Sequence, residues 1–479
     1  MKRPMIFAGV AALLFSLAFY YAPQITPYLF ILFLALCVVV FISQRKHLLS
    51  FLPILLIVIM VFLRGNYAIY RVAAFQSFQK EIFVSGIVTE VSPQDDSVFY
   101  TVKSKNINGK EIKANVSLLS YDELYARVGD RIEFSAVVHT DNVSAYGNEV
   151  DLRNPTVISL KSDKNVYSFF DDIRNKIRNF IFDNIPYDNA TLLLGVLLGD
   201  KAVIGEELSE NIKNSGVSHI VVTSGMHLAI ITRVFFGAAF GKKNKFLYSV
   251  LGIIFVSSVV MLTGASISVL RAALMYYIIF FGLLISRRAD ALSSLFASAV
   301  LLVFINPFVA GNFSFQLSAA ATFGVIAVAP VLQNIVKREE ARISRIMHTL
   351  AGIVATSFSA TLLTAPFLIL KFSAFSVVGI FVNLLITHLT SVLLTVSLLS
   401  VASAFIPFVR HTMCAVASLC SGIVTNVINA FGSLPFAYIE IENPVPFAIL
   451  SALLAVAVSV YCIYKYDEIR IGDKDAFIV

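Results

Sequence analysis

Six polar side chains stand in stretches where hydropathy alone would place apolar ones: His219, Ser224, His227, Arg271, Gln316 and Asn383. A full charge at the centre of a bilayer costs about 2.5–3.5 kcal/mol on insertion scales, so polar groups at that depth usually face a bundle interior or water. Their types suit several chemistries. Ser224 and His227 are three apart, which on a helix brings a hydroxyl to an imidazole. That is half of a nucleophilic arrangement. No acidic residue nearby would orient the ring, so a membrane enzyme is the weakest of three functional readings. His219 and His227 are eight apart, close to two helical turns, and share one side of a continuous helix. A neutral imidazole bonded to a neighbouring helix explains His227 as well as a pore-lining role does. Arg271 carries a guanidinium suited to phosphate, or it snorkels from the outer end of its span to lipid headgroups. Gln316 and Asn383 are amides of the kind that join helices by hydrogen bonds worth about 0.6–2 kcal/mol, or that line a wet path.

Other chemistries lack their residues. The seven histidines are His47, His139, His219, His227, His348, His388 and His411, and no pair has the spacing of a zinc or manganese site. The four cysteines lie in apolar runs without a CxxC pair. There is no GxxxxGK[ST] phosphate loop. No cofactor, no metal and no catalytic residue are expected.

The elements that must position these residues are membrane helices. Hydrophobic residues make up 58% of the 479 and charged residues 14%, against about 25% charged in soluble domains. Trp is absent, which leaves Tyr to mark the interfaces. A spanning helix needs about 20 apolar residues. Runs at about 5–22, 27–43, 48–64, 217–240, 246–263, 268–285, 291–310, 315–335, 349–370, 375–404, 411–431 and 446–464 approach that length. The first reads as a retained span rather than a cleaved leader, because no small-residue cleavage site follows it. The run 375–404 is long enough to hold a tilted helix or a break near Gly379. The net charge of +7 sorts by loop. With Lys2 and Arg3 inside, every alternate loop is basic: 43–47, 242–245, Arg287-Arg288, 337–345, Arg410, then Lys465 and Arg470. The loop 432–445 holds Glu440 and Glu442 and no Lys or Arg. The positive-inside rule then puts both termini in the cytoplasm and residues 65–216 outside.

Between about Phe78 and Leu160 the pattern changes to short β-branched and aromatic stretches at 82–91, 98–103, 112–119, 131–139 and 149–158. Turn signals such as Asn108-Gly109 and Gly129-Asp130 separate them. About five strands in some eighty residues predict a small OB-like β-barrel. Residues 71–165 carry 11 Lys+Arg and 13 Asp+Glu, a net of −2, which weakens the case for unspecific DNA binding by this domain. Residues 166–187 follow as an amphipathic helix. Val166, Phe169, Phe170, Ile173, Ile177, Phe180 and Ile181 mark its apolar face, and Arg174, Lys176 and Arg178 lie off it, which suits the membrane surface.

The stretch 192–236 carries ordered motifs. A Leu-rich segment ends in Gly199-Asp200 and an acidic stretch follows. Then come Ser215-Gly216-Val217-Ser218-His219 and Ser224-Gly225-Met226-His227. Downstream lie Thr263-Gly264, Ser268, Arg271-Ala272, Met275, Asn306-Pro307, Phe313-Ser314-Phe315-Gln316-Leu317-Ser318, Thr364-Ala365-Pro366 and Asn383-Leu384-Leu385. This series, across about 190–405, resembles the ComEC-type competence family of DNA-uptake channels. Met226 replaces the family's usual Leu. The resemblance implies a polytopic α-helical protein of about twelve spans, with domains 1–66 (N-terminal three-helix membrane segment), 67–165 (OB-like, extracytoplasmic), 166–187 (interfacial helix), 188–464 (channel domain) and 465–479 (cytoplasmic tail). It implies an inner-membrane channel for single-stranded DNA, with His219, Ser224, His227, Arg271, Gln316 and Asn383 as path candidates. Gly199, Gly216, Gly225 and Gly264 give close backbone approach. Asp200 and Lys201 would pair at the outer surface or cap the next helix. Implied partners are the lipid bilayer, a DNA-receptor protein outside and a cytoplasmic ATPase or helicase, and the channel could form a homo-oligomer. Many members continue into a metallo-β-lactamase-like domain; its motif is absent here, so any nuclease is expected to be a separate protein. A secondary transporter of a small solute is the alternative, although no inverted repeat is apparent.

Overall fold

A computed structural model describes residues 4–472 except 44–47, 77–80, 95–96, 122–123, 139–149, 201–203, 219–223, 240–244, 288, 340–344 and 377. His219 and Lys201 therefore lie outside the described residues, as do most residues of the basic loops near 45, 243 and 342. The chain divides into two compact units. The first comprises residues 1–176 with 296–315, and the second comprises 177–295 with 316–479.

The first unit begins with helices α1 (Pro4–Tyr21), α2 (Thr26–Ser43) and α3 (Leu48–Gln76). The Asn306-Pro307 turn, which follows α10 (Ala291–Ile305), is bound to α1. The Ser16 hydroxyl donates to the Pro307 carbonyl at 2.6 Å and accepts the Ala310 N–H at 3.1 Å.

The β part has six strands: β1 (Glu81–Gln94), β2 (Ser97–Ile107), β3 (Lys110–Glu111), β4 (Asn115–Ser120), β5 (Arg131–Val138) and β6 (Val150–Lys161). Their order is β1-β5-β6-β4-β2-β3, and β1 also pairs with β2, so the five longer strands are paired in a ring. All pairings are antiparallel except β4 with β6. The alternation of β-branched and polar residues turns Ile82, Val84, Val88, Tyr100, Val102, Val116, Leu118, Ile132, Phe134 and Leu152 into one buried core. Asn108-Gly109 and Gly129-Asp130 fall between strands as expected, and Asn108 and Gly109 both take positive φ.

Helix α4 (Val166–Asn184) is shared between the units. Asn165 caps it: its side-chain oxygen accepts the N–H groups of Tyr167 and Ser168, and the Ser168 hydroxyl accepts the Asn165 N–H in return. The expected apolar face does not have a single fate. Val166 and Phe169 are exposed, whereas Ile177, Phe180 and Ile181 belong to the core of the second unit.

That unit continues through α5 (Tyr187–Leu198), α6 (Glu206–Asn214), α7 (Gly225–Ala239), α8 (Lys245–Leu262) and α9 (Ile267–Leu284). Beyond α10 come α11 (Phe313–Phe323), a π-helical segment at Gly324–Val328, α12 (Ala329–Glu339), α13 (Arg345–Phe372), α14 (Gly379–Ala402), α15 (Pro407–Gly432) and α16 (Pro444–Gly472). Every one of the twelve apolar runs contains a helix. Among the described residues, eight helices are long and apolar enough to cross a membrane, including Phe313–Asn334 taken through the π segment. The runs at 5–22, 27–43, 217–240 and 291–310 give shorter apolar helices. Helix α5 is also apolar, 12 residues long and buried from Ala190 to Leu198.

Of the two readings of the run 375–404, a tilted helix or a break near Gly379, the regular helix begins only at Gly379. The run 375–404 starts as a strand, β7 (Ala374–Ser376), paired with β8 (Tyr438–Glu440), and turns helical at Gly379. The Ser376 hydroxyl donates to the carbonyls of Asn214 and Ala437 at 2.9 and 3.2 Å. The first uses a backbone acceptor that the end of α6 leaves free, and the second uses the residue just before β8.

Candidate functional site

Ser224 and His227 meet, as their spacing predicts, but the contact makes a helix cap. Ser224 precedes α7, and its carbonyl accepts the Leu228 N–H at 3.3 Å. The ring Nδ1 of His227 accepts the Ser224 backbone N–H at 3.0 Å and lies 2.9 Å from the Ser224 hydroxyl. His227 thus fills the place that Glu or Gln holds in a capping box. An Nδ1 that accepts leaves the neutral ring's proton on Nε2. The ring is fully buried, and Nε2 has no partner among the described residues.

Arg271 is next to this helix start. A β-carbon on Gly225 would lie 3.1 Å from the Ala272 Cβ and 3.4 Å from the Arg271 Nη2, so α7 begins in tight approach to α9. Arg271 is 3% exposed. This overturns the snorkelling expectation: the side chain turns into the helical unit, where hydroxyls receive it. Its Nε donates to the Ser318 hydroxyl at 3.1 Å. Its Nη2 donates to the hydroxyls of Ser318 and Thr322, both at 2.8 Å, and Nη1 faces the Met275 sulfur at 3.3 Å. Ser268 and Ser318 share a further 2.8 Å bond. Among the described residues no carboxylate pairs with Arg271. Burying an uncompensated guanidinium costs on the order of several kcal/mol. Thr322 immediately precedes the last residue before the π segment, a rare feature that recurs at functional sites.

Segments far apart in the chain, Ser224-Gly225-Met226-His227, Ser268 to Met275 and the Phe315-Gln316-Leu317-Ser318 stretch, therefore converge on one place. The profile of the family described as Competence protein matches residues 196–466. The chain belongs to the Competence protein family. A relative, ComE operon protein 3 of Bacillus subtilis (strain 168), is 26% identical over 273 residues. These are 56% of this chain and 31% of the relative, so the chain spans about a third of the length of the curated relative it matches. No solved structure gives a significant match.

The other competence-family motif residues divide between scaffold and polar core. Gly199 caps α5 at φ 74°, with its N–H on Gly195 O and that of Asp200 on Leu194 O. Asp200 is 5% exposed and does not cap the next helix, whose N-cap is Gly205; the pairing expected with Lys201 lies outside the described residues. Its Oδ2 accepts Arg178 Nε at 2.9 Å and also Arg178 Nη2. Arg178, expected at the membrane surface, is thereby held by a carboxylate. Gly216 (φ 74°) ends α6, with the Val217 N–H reaching back to Ile212 O. Its missing β-carbon would lie 2.9 Å from the Ser376 Cβ, so glycine is required twice over. Gly264 (φ 79°) reverses the chain between α8 and α9.

Asn383 joins α14 to α13 by an Nδ2 bond of 3.3 Å to the Thr361 hydroxyl, while its Oδ1 is buried without a partner among the described residues. Gln316 is half-buried on α11. It sits two residues before Ser318, about 200° around the helix, so it is not on the face that meets Arg271. The residues missed by sequence reasoning are Ser268, Met275, Ser318 and Thr322. The first three lie inside the motifs. Thr322 had only its spacing of four from Ser318 as a signal.

Proposed function

We propose that this protein is an inner-membrane channel that passes single-stranded transforming DNA into the cytoplasm. The observation that carries the reading is Arg271, a buried guanidinium held by hydroxyls beside a helix start and matched by no carboxylate among the described residues. An anionic cargo supplies the missing charge. A phosphodiester backbone suits it because guanidinium and backbone N–H groups both bind phosphate without reading sequence. Family membership and the apolar helices support a membrane setting.

In this reading the strand passes where α7, α9 and α11 meet. His227 Nε2–H and the unpaired Asn383 amide oxygen are polar groups available to a wet path. The strand ring is an OB-type barrel, consistent with its order and its one parallel pairing. The loop charges put the termini in the cytoplasm and the barrel outside. Val166 and Phe169, exposed at the start of α4, suit a helix lying on the outer leaflet. A receptor outside, a cytoplasmic ATPase or helicase and a separate nuclease complete the route, and the channel can act as a homo-oligomer.

The test is entry of fluorescent DNA into a deletion strain complemented with the intact gene or with Arg271→Ala. Complementation restores entry, and Arg271→Ala does not. Normal entry into the deletion strain overturns the channel.

A further inference from the structure

Arg271 as placed here has no room for a cargo. It is 3% exposed, and four of its five guanidinium N–H groups are already taken by Ser318, Thr322 and Met275. Ser318 and Thr322 stand on α11, shortly before the π segment Gly324–Val328. The sequence accounts for that segment. Pro330 has no N–H to donate, and in an unbroken α-helix its ring would collide with the Ile326 carbonyl. The widened turn accommodates it: the Ala329 N–H reaches back to the Gly324 carbonyl, one residue further than in an α-helix. The two flanks of the π segment are held by different neighbours. Arg271 on α9 hooks the N-terminal flank. The C-terminal flank is tied to α13 by Gln333, whose amide donates to the Gly352 carbonyl at 3.3 Å. Val328 and Val331 pack there with Leu363 of α13 and with Ala455 and Cys462 of α16.

We propose that the π segment is a register switch for Arg271: when the extra residue is carried before Ser318 instead of after Thr322, the guanidinium is released to a phosphate. A π turn holds one more residue than an α turn, so moving it along a helix advances each residue it passes by one position, or about 100°. The places of Ser318 and Thr322 then pass to Ala319 and Phe323. Neither side chain accepts a hydrogen bond, so Arg271 loses its hydroxyls in one step. Pro330 blocks movement the other way, into α12. Return of the turn restores the hydroxyls and displaces the phosphate. A passing strand needs contacts that let go as readily as they form. The inference rests on DNA being the cargo and adds the regulation of that same site.

The test uses the full chain and two readouts. The first is entry of fluorescent DNA into cells. Deletion of Val325, a 41% exposed residue, removes the extra residue and leaves both flanks in register. Entry is expected to fall at least a hundredfold with normal membrane insertion. Ala319→Ser offers Arg271 a hydroxyl in either register, so entry should fall at least tenfold. Ala321→Ser offers none in either and leaves entry at the rate of the intact protein. The second readout is hydrogen exchange of the amides at 318–329, in detergent and without DNA. Exchange is expected to slow at least tenfold on deletion of Val325. It should quicken at least tenfold in Arg271→Ala, which unhooks the N-terminal flank. If the deletion variant does not insert, Ala319→Ser and the exchange of Arg271→Ala decide. Exchange unchanged in Arg271→Ala overturns the switch. So does normal entry in Ala319→Ser where a strain lacking the gene imports no DNA. If Arg271→Ala loses entry while its exchange is unchanged, the switch is wrong and the channel stands. If exchange shifts as expected and a strain lacking the gene imports DNA normally, the channel is wrong and the switch stands.

Discussion

Arg178 and Arg271 belong to the same helical unit, yet among the described residues only Arg178 has its charge matched. Arg178 holds Asp200, the acid of the Gly199-Asp200 pair, and so ties α4 to the end of α5. Arg271 holds two hydroxyls and faces a thioether. The first arrangement is complete within the fold. The second satisfies hydrogen bonding and, among the described residues, leaves one positive charge uncompensated in a low-dielectric setting, where attraction for an incoming anion is strongest. On the proposed function, the difference separates an arginine that builds the unit from one that serves a cargo.

The largest expected effect follows from that separation. Arg271→Ala should lower DNA entry by two orders of magnitude or more, with membrane insertion and thermal stability in detergent close to normal, because the lost bonds are offset by relief of a buried charge. Arg271→Lys keeps the charge and loses the fork that spans Ser318 and Thr322, so it should recover only part of the activity. A fall in thermal stability as large as the fall in entry would break the comparison and return Arg271 to the scaffold.

Asp200→Asn should do the reverse. It takes the carboxylate charge away from Arg178, whose side chain is a third exposed. A loss of about 1–3 kcal/mol in stability is expected, discounted for that exposure. Entry should fall only in proportion to folded protein. Exchanging the charges, Arg178→Asp with Asp200→Arg, should recover more stability than either single change. Measuring the midpoints of thermal unfolding for all three gives the coupling directly.

Much of this arrangement was legible in the sequence, and the part that was not has a physical reason. Spacings are local, so the Ser224–His227 contact could be read from a separation of three, and an interruption near Gly379 is one of two readings of a run too long for one crossing. The five longer strands could be placed from Asn108-Gly109 and similar turns. Pairings across the chain leave no such trace. Arg271 stands near the end of an apolar run, where snorkelling is the cheapest solution. Its real partners lie 47 and 51 positions away, on α11. Arg178 sits on α4 and Asp200 lies just past the C-cap of α5, so no single helical periodicity links them. The parallel pairing of β4 with β6 likewise crosses more than thirty residues.

The smallest effect concerns the start of α7, and it sharpens what His227 is for. Ser224→Ala removes the hydroxyl and keeps the backbone N–H that His227 accepts, so a loss of about 1 kcal/mol or less is expected. His227→Ala removes the ring acceptor and also the buried Nε2–H. If the ring serves only as a cap, His227→Gln should restore function, because an amide oxygen at the third helical position can accept the same N–H. If Nε2 also serves the cargo, His227→Gln should restore thermal stability and leave DNA entry low. Stability and entry measured on the same preparation decide it. Recovery of both would place His227 with Arg178 and Asp200 in the scaffold, leaving Arg271 to carry the channel chemistry without it.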